Sequence, residues 1–151
     1  HKVALIEKGA ARLGISIVHA RQADASQFDP DFENGFDVVI ADVPCSGLGV
    51  IAKKPDIKYK NREDIERLPS LQKKILETSA RYLRVGGTLV YSTCTLNPAE
   101  NKNIVSAFLS ENADFELCAF RAGGAECAGM LELIPGETTD GFFIAKMKKV
   151  K

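Results

Sequence analysis

Phe36-Asp37-Val38-Val39-Ile40-Ala41, running into Asp42-Val43-Pro44-Cys45-Ser46-Gly47, and Thr88-Leu89-Val90-Tyr91-Ser92, running into Thr93-Cys94-Thr95, decide how this chain folds. Each begins as a short, largely apolar run rich in β-branched residues, the pattern of a strand buried on both faces in a parallel sheet. Each then reaches a cysteine just past the end of the run. Parallel strands bring their carboxyl ends to one edge of the sheet, where open α/β folds bind ligands, and neighbouring strands lie roughly 4.8 Å apart. The placement therefore predicts two thiols, Cys45 and Cys94, meeting in one pocket.

Working outward, Lys2 to Leu13 sets Val3, Ile6, Ala10 and Leu13 at helical spacing, with Gly14 as the carboxyl cap. Ile15 to Ala20 is short and β-branched and reads as a strand, with Asp24 just beyond it. Asp29 to Gly35 reads as loop or a turn of helix. Between Cys45 and Asn61, Gly47, Gly49 and Pro55 interrupt regular structure in a loop carrying Lys53, Lys54, Lys58 and Lys60. A helical pattern resumes at Glu63, with Leu71, Ile75, Leu76, Ala80 and Leu83 on one side; Pro69 is expected to divide it and Gly86-Gly87 to stop it. Asn97-Pro98-Ala99-Glu100 reads as a helix start with an Asn cap and Pro at the first helical position, so Glu100 is a helix-start residue. Strands are expected over Phe115 to Phe120, Met130 to Ile134 and Phe142 to Met147. Strands alternating with helices define an α/β sheet.

The 151 residues carry 20 basic and 20 acidic side chains and no net charge, so no global field draws the molecule to nucleic acid or an anionic membrane; any such attraction is local. The length suits one domain, 1–151. Four cysteines at 45, 94, 118 and 127, without a Cys-x-x-Cys pair and with two histidines, argue against a structural zinc site and for reduced thiols. Cys118, Cys127 and His19 read as structural residues. No run is long and apolar enough for a membrane anchor and no leader is evident, so the expectation is a cytoplasmic protein without metal. The start at His1, without methionine and directly in a helical pattern, reads as a piece of something longer.

Three motifs in order, Asp42-Val43-Pro44-Cys45-Ser46-Gly47-Leu48-Gly49, Ser92-Thr93-Cys94-Thr95-Leu96-Asn97-Pro98-Ala99-Glu100-Asn101 and Asp140-Gly141-Phe142-Phe143, resemble the Sun (Fmu) family of ribosomal RNA cytosine-5 methyltransferases. The resemblance implies a Rossmann-like class I fold, mostly parallel with an antiparallel last strand and incomplete here, an S-adenosylmethionine donor and ribosomal RNA as substrate. It implies Cys94 as nucleophile, Cys45 as an aid to product release and Asp42 as the residue that binds the base. It also implies donor contacts from Asp24, with Asp42 and Pro44 beside them. Lys53, Lys54, Lys58, Lys60 and Arg62 are the candidate RNA-phosphate contacts, against the plainer reading of a solvated surface.

The chemistry suits these residue types. Carbon 5 of cytosine is a poor nucleophile until a thiolate adds to carbon 6, after which a base must take the carbon 5 proton and the enzyme sulfur must leave. The glycine-rich donor loop and the ribose-binding acid of the family have no match in the chain, so it resembles the carboxyl-terminal part of the catalytic domain and is expected to be inactive alone. The family's sheet places two further strands between Ile15–Ala20 and Phe36–Ala41; the expectation is that these two pair directly, or that another copy or the amino-terminal part covers the edge. Two other functions remain open on the residues: amino methylation, from the likeness of Asp-Val-Pro-Cys to the Asp/Asn-Pro-Pro-aromatic motif, and an RNA-binding or assembly module using the lysine loop.

Overall fold

The computed structural model describes residues 1–151. Its centre is a parallel ladder between β1 (Phe36–Asp42) and β2 (Leu83–Thr93), in which Val38 to Asp42 pair in step with Thr88 to Ser92. The connection is α2 (Arg62–Arg81), which packs against both strands and against α3 (Lys102–Glu111). The chain then turns through β3 (Phe115–Leu117), the hairpin β4 (Phe120–Ala122) and β5 (Ala125–Cys127), and β6 (Met130–Leu133). It ends on β7 (Phe142–Lys149), which lies antiparallel to β2 and takes β6 and β3 on its far side. This is the anticipated α/β layering with an antiparallel last strand.

Alternation along β2 and β7 sends Leu89, Tyr91, Ala145 and Met147 inward, where Leu76 of α2 and Val105 and Phe108 of α3 complete a core at or near zero exposure. Phe108 meets Phe115 edge-on at 5.1 Å between ring centres.

Four sequence expectations are corrected. Pro69 sits inside one continuous helix rather than between two: the Asn61 side chain caps the first turn through Glu63 N–H at 3.0 Å, and burial of Ile75, Leu76 and Ala80 holds the later turns to the sheet. That anchoring outweighs the hydrogen bond the proline removes. The helix stops at Tyr82, before the glycines; Gly86, at φ +83°, and Gly87 instead form an irregularity inside β2, where the register jumps between the pairs Phe36–Leu83 and Val38–Thr88. A side chain at Gly87 would meet Arg84 O at 2.9 Å and Asp37 O at 3.1 Å. Asn97 opens an irregular turn, its Oδ1 accepting from Ala99 N–H at 3.1 Å, and α3 begins only at Lys102.

Finally, Ile15 to Ala20 joins no ladder and does not pair with β1, so the expected direct pairing is absent. β-branched residues favour extended backbone, but a strand also requires a hydrogen-bonding neighbour, and this segment has none. The outer edge of β1 therefore stays open within the chain, with Val38 and Ile40 at 55% and 68% exposure. Helix α1 (Lys2–Arg12) forms as read but buries none of its residues.

Because Phe108 of α3 lies in the core without exposure and packs on Phe115, Phe108→Ala is expected to destabilise the fold by about 3–5 kcal/mol, measured as a lowered urea midpoint at unchanged slope.

Candidate active site

The pairing of Asp42 with Ser92 ends both strands at the same level, and the two chains leave the sheet side by side. Ser92 O–H donates to Asp42 Oδ1 at 2.8 Å, and Val43 N–H continues the ladder to Ser92 O at 3.2 Å. Three residues past Asp42 and two past Ser92, Cys45 and Cys94 set their sulfurs 3.0 Å apart, and Cys94 N–H points to Cys45 Sγ at 3.3 Å. Both thiols are free and half-buried. Burial, with the hydrogen bond to Cys94 second, pushes the Cys45 thiol up to about 12, so Cys45 keeps its proton at neutral pH. A protonated Cys45 can donate to the Cys94 sulfur across that contact.

The loops holding these thiols are fixed by buried polar groups. Ser46 and Thr95, both without exposure, share a hydroxyl–hydroxyl bond of 2.6 Å that ties the Pro-Cys loop to the Thr-Cys loop. Asn101 receives Thr93 O–H at 2.6 Å and donates to Thr95 O at 2.9 Å. The backbone of Glu100 accepts Tyr91 O–H at 2.6 Å; burial, with the nearby Glu100 charge second, raises the phenol so that it stays a donor. A third loop closes over the first two: Gly49 N–H donates to Cys94 O at 3.0 Å, and Gly141 N–H to Gly49 O at 2.8 Å. A side chain at Gly49 would sit 2.3 Å from Gly141 O, which accounts for glycine there.

The basic stretch divides by the partners its side chains find. Lys60 Nζ donates to Ser46 O at 2.8 Å and Cys45 O at 3.4 Å, so its charge sits on the backbone of the thiol loop. Lys53 pairs with Asp140 at 2.7 Å, pinning the Gly49 loop to the Asp140-Gly141 turn, and Arg62 pairs with Glu66 one helical turn away. Lys54 and Lys58 are exposed and engage no other side chain.

Asp24 lies apart from the thiols, in an exposed loop beside a groove walled by Gln27, Phe28, Phe32 and Tyr82. Its Oδ1 accepts both Ser26 N–H at 2.9 Å and Ser26 O–H at 2.7 Å, bonds that hold the carboxyl below its usual range. Asp24 and Asp42 thus each present one carboxylate oxygen without an internal partner. Two exposed acceptors, Asp42 at the end of β1 and Asp24 in the loop after Ile15–Ala20, fit the amino, hydroxyl and ammonium donors of a nucleoside-linked amino acid such as S-adenosylmethionine.

Sequence reading missed Glu100 and Gln72 as parts of the site. Gln72 was detectable: it shares a helix face with Ile75, Leu76 and Ser79, where a polar residue with zero exposure requires a polar partner. Glu100 gave no such signal, because its position past Asn97-Pro98 is explained by helix initiation alone.

Two strands ending at one edge and an antiparallel last strand beside them are the layout of the Rossmann-like α/β fold of methyltransferases. The same fold appears in a methyltransferase homologue from Pyrococcus horikoshii, at TM-score 0.78 and 29% identity over 97% of this chain and 50% of that one. NSun6 from P. horikoshii with SFG matches at TM-score 0.72 and 28% identity, over 97% of this chain and 38% of that one. The chain belongs to the 16S rRNA methyltransferase RsmB/F family, whose model matches residues 1–148. It is 43% identical over 159 aligned positions to the probable ribosomal RNA small subunit methyltransferase B of Bacillus subtilis strain 168, covering 99% of this chain and 36% of that protein. The chain thus spans about a third of that relative's length.

At neutral pH, iodoacetamide is expected to label Cys94 ahead of Cys45, since the raised thiol is protonated well into alkaline solution; peptide mass spectrometry reads the order, and preferential labelling of Cys45 contradicts the assignment.

Proposed function

We propose that the protein carrying this chain methylates carbon 5 of a cytidine in ribosomal RNA through a covalent cysteine adduct, with 1–151 as the carboxyl-terminal part of its catalytic domain. The observation that carries this reading is the 3.0 Å approach of Cys45 to Cys94 beside Asp42. Amino methylation needs no thiol, and an RNA-binding module needs no pair of them.

Cys94, as thiolate, adds to carbon 6, and the electron pair moves toward carbon 5 and the ring carbonyl and nitrogen 3. Asp42, anchored by Ser92 through one oxygen, has the other to contact the base. Asp24, Asp42 and the backbone near Pro44 would hold S-adenosylmethionine, whose electrophilic methyl group would bond to carbon 5 as its bond to the sulfonium breaks and S-adenosylhomocysteine leaves. The carbon 5 proton then leaves to a base and the carbon 6–sulfur bond breaks. Cys45 acts here: its S–H, kept protonated by burial, donates to the departing Cys94 sulfur and stabilises it as thiolate. No metal takes part in these steps.

Removing each thiol separates the roles. In the full-length protein, Cys94→Ala is expected to lower kcat on the order of 10⁴-fold or more and to leave no RNA–protein adduct on a denaturing gel. Cys45→Ala is expected to form the adduct and accumulate it, because addition is intact and expulsion is slow. Normal methylation by Cys94→Ala would refute the nucleophile assignment.

For RNA contact, Lys53, Lys60 and Arg62 already have partners within the chain, which leaves Lys54 and Lys58 as the freest phosphate ligands of the stretch. Lys54→Ala and Lys58→Ala are each expected to reduce the slope of log affinity against log salt by about one, measured by filter binding across a salt series. An unchanged slope would return these lysines to the solvated surface.

A further inference from the structure

Glu100 has no exposure, and its carboxylate lies within salt-bridge distance of no cation. Every polar contact it makes is with a neutral N–H donor. Oε2 accepts Ser46 N–H at 2.9 Å and Gln72 Nε2–H at 2.9 Å, and Oε1 accepts Asn97 Nδ2–H at 3.0 Å. The same Gln72 amide group donates to Pro44 O at 2.8 Å. One carboxylate therefore holds the residue after Cys45, the helix beneath it and the residue three past Cys94. A buried ionised group is expensive unless donors surround it, and here the donors come from the two loops whose relative position sets the sulfur–sulfur distance.

We propose that Glu100 is a positioning residue for the reaction, its carboxylate bridging the Pro-Cys and Thr-Cys loops and thereby setting Cys45 and Cys94 in thiol contact. This rests on the methyltransferase reading for its effect on turnover, but the geometric part depends only on the two sulfurs. Glu100 touches no reacting atom. It acts through Ser46 and Asn97, and the register it holds decides whether the addition and release groups share one locus. Asn97 cannot compensate by rotating its amide, because its Oδ1 already accepts Ala99 N–H at 3.1 Å. Gln72 has a related constraint: its Oε1 is buried without a partner, so its orientation is fixed by the two acceptors its amino group serves.

The test reads the sulfur geometry directly. In the full-length protein, the rate at which Cys45 and Cys94 close to a disulfide under diamide, which takes up the two protons and two electrons, is followed by the loss of two titratable thiols. Glu100→Ala is expected to slow closure about tenfold or more, and to lower kcat about 100-fold while KM for RNA changes less than about threefold. Glu100→Gln keeps an acceptor for Ser46 and Gln72 but turns an NH₂ toward Asn97, and is expected to fall between Glu100→Ala and the wild type in both readouts. Val105→Ala, a core truncation in α3 that removes none of the carboxylate's hydrogen bonds, is the control for general loosening and is expected to close at the wild-type rate.

Closure at the wild-type rate in a folded Glu100→Ala, or a rise in KM with kcat unchanged, overturns the proposal. Slowing equal to that of Val105→Ala also overturns it. If Glu100→Ala does not fold, the near-isosteric Glu100→Gln decides alone, with wild-type closure as the contradicting result. Methylation that survives Cys94→Ala would sink the catalytic reading while leaving the closure measurement valid.

Discussion

The parallel register of β1 against β2 is the constraint on which the site depends. Five consecutive pairs, from Val38–Thr88 to Asp42–Ser92, bring two strand ends to the same level, one strand spacing apart. A slip of one residue would turn every inward side chain outward and move one cysteine away from the other. The Gly86-Gly87 irregularity absorbs the mismatch at the far end of β2, so that pairing is regular where it approaches the thiols. Core burial of Leu89, Tyr91 and Ala145 and the site's geometry are thus fixed by one alignment.

Beyond the strand ends, apolar packing gives way to hydrogen bonding. Backbone leaving a sheet must find partners for its N–H and C=O groups. Here Ser46 N–H finds Glu100, Thr95 O finds Asn101 and Pro44 O finds Gln72, while side-chain bonds of Ser46 with Thr95, Thr93 with Asn101, and Gln72 and Asn97 with Glu100 join these groups to one another. The approach of Gly49 to Gly141 lets a third loop lock over the pair. Such a network tolerates little substitution, since losing one member leaves another buried and unsatisfied. It also places the thiol raised by burial next to the one read as the attacking group. In the proposed mechanism the two sulfurs take different tasks from their surroundings rather than from their chemistry.

The strand runs, both cysteine positions, the long connecting helix and the last strand were legible in the sequence, because each is written in local apolar periodicity with a clear stop. What failed depended on partners distant in sequence. Pro69 argued for a broken helix, but the burial of Ile75 and Leu76 overrode it. The glycine pair marked an irregularity in a strand, not a helix end, and only the neighbouring strand distinguishes the two. Ile15 to Ala20 had strand composition without a neighbour to pair with. Lys60, a candidate phosphate contact, also sets its ammonium on the backbone carbonyls of Cys45 and Ser46, a contact that no local pattern shows. Glu100 and Gln72 were invisible as a unit, since nothing in their separation along the chain reveals that they bond each other and hold the adjacent residues Ser46 and Pro44.

In the proposed mechanism two adjacent thiols divide addition and release, with Cys94 bonded to the base. The most direct measurement digests the complex formed between the full-length protein and RNA bearing 5-fluorocytidine in the presence of S-adenosylmethionine, then maps the cross-linked peptide by tandem mass spectrometry. Fluorine at carbon 5 blocks the final elimination and leaves the enzyme sulfur on carbon 6. The account predicts the nucleotide on the peptide containing Cys94, with Cys45 unmodified; a nucleotide on Cys45, or no covalent complex from an active preparation, would contradict it.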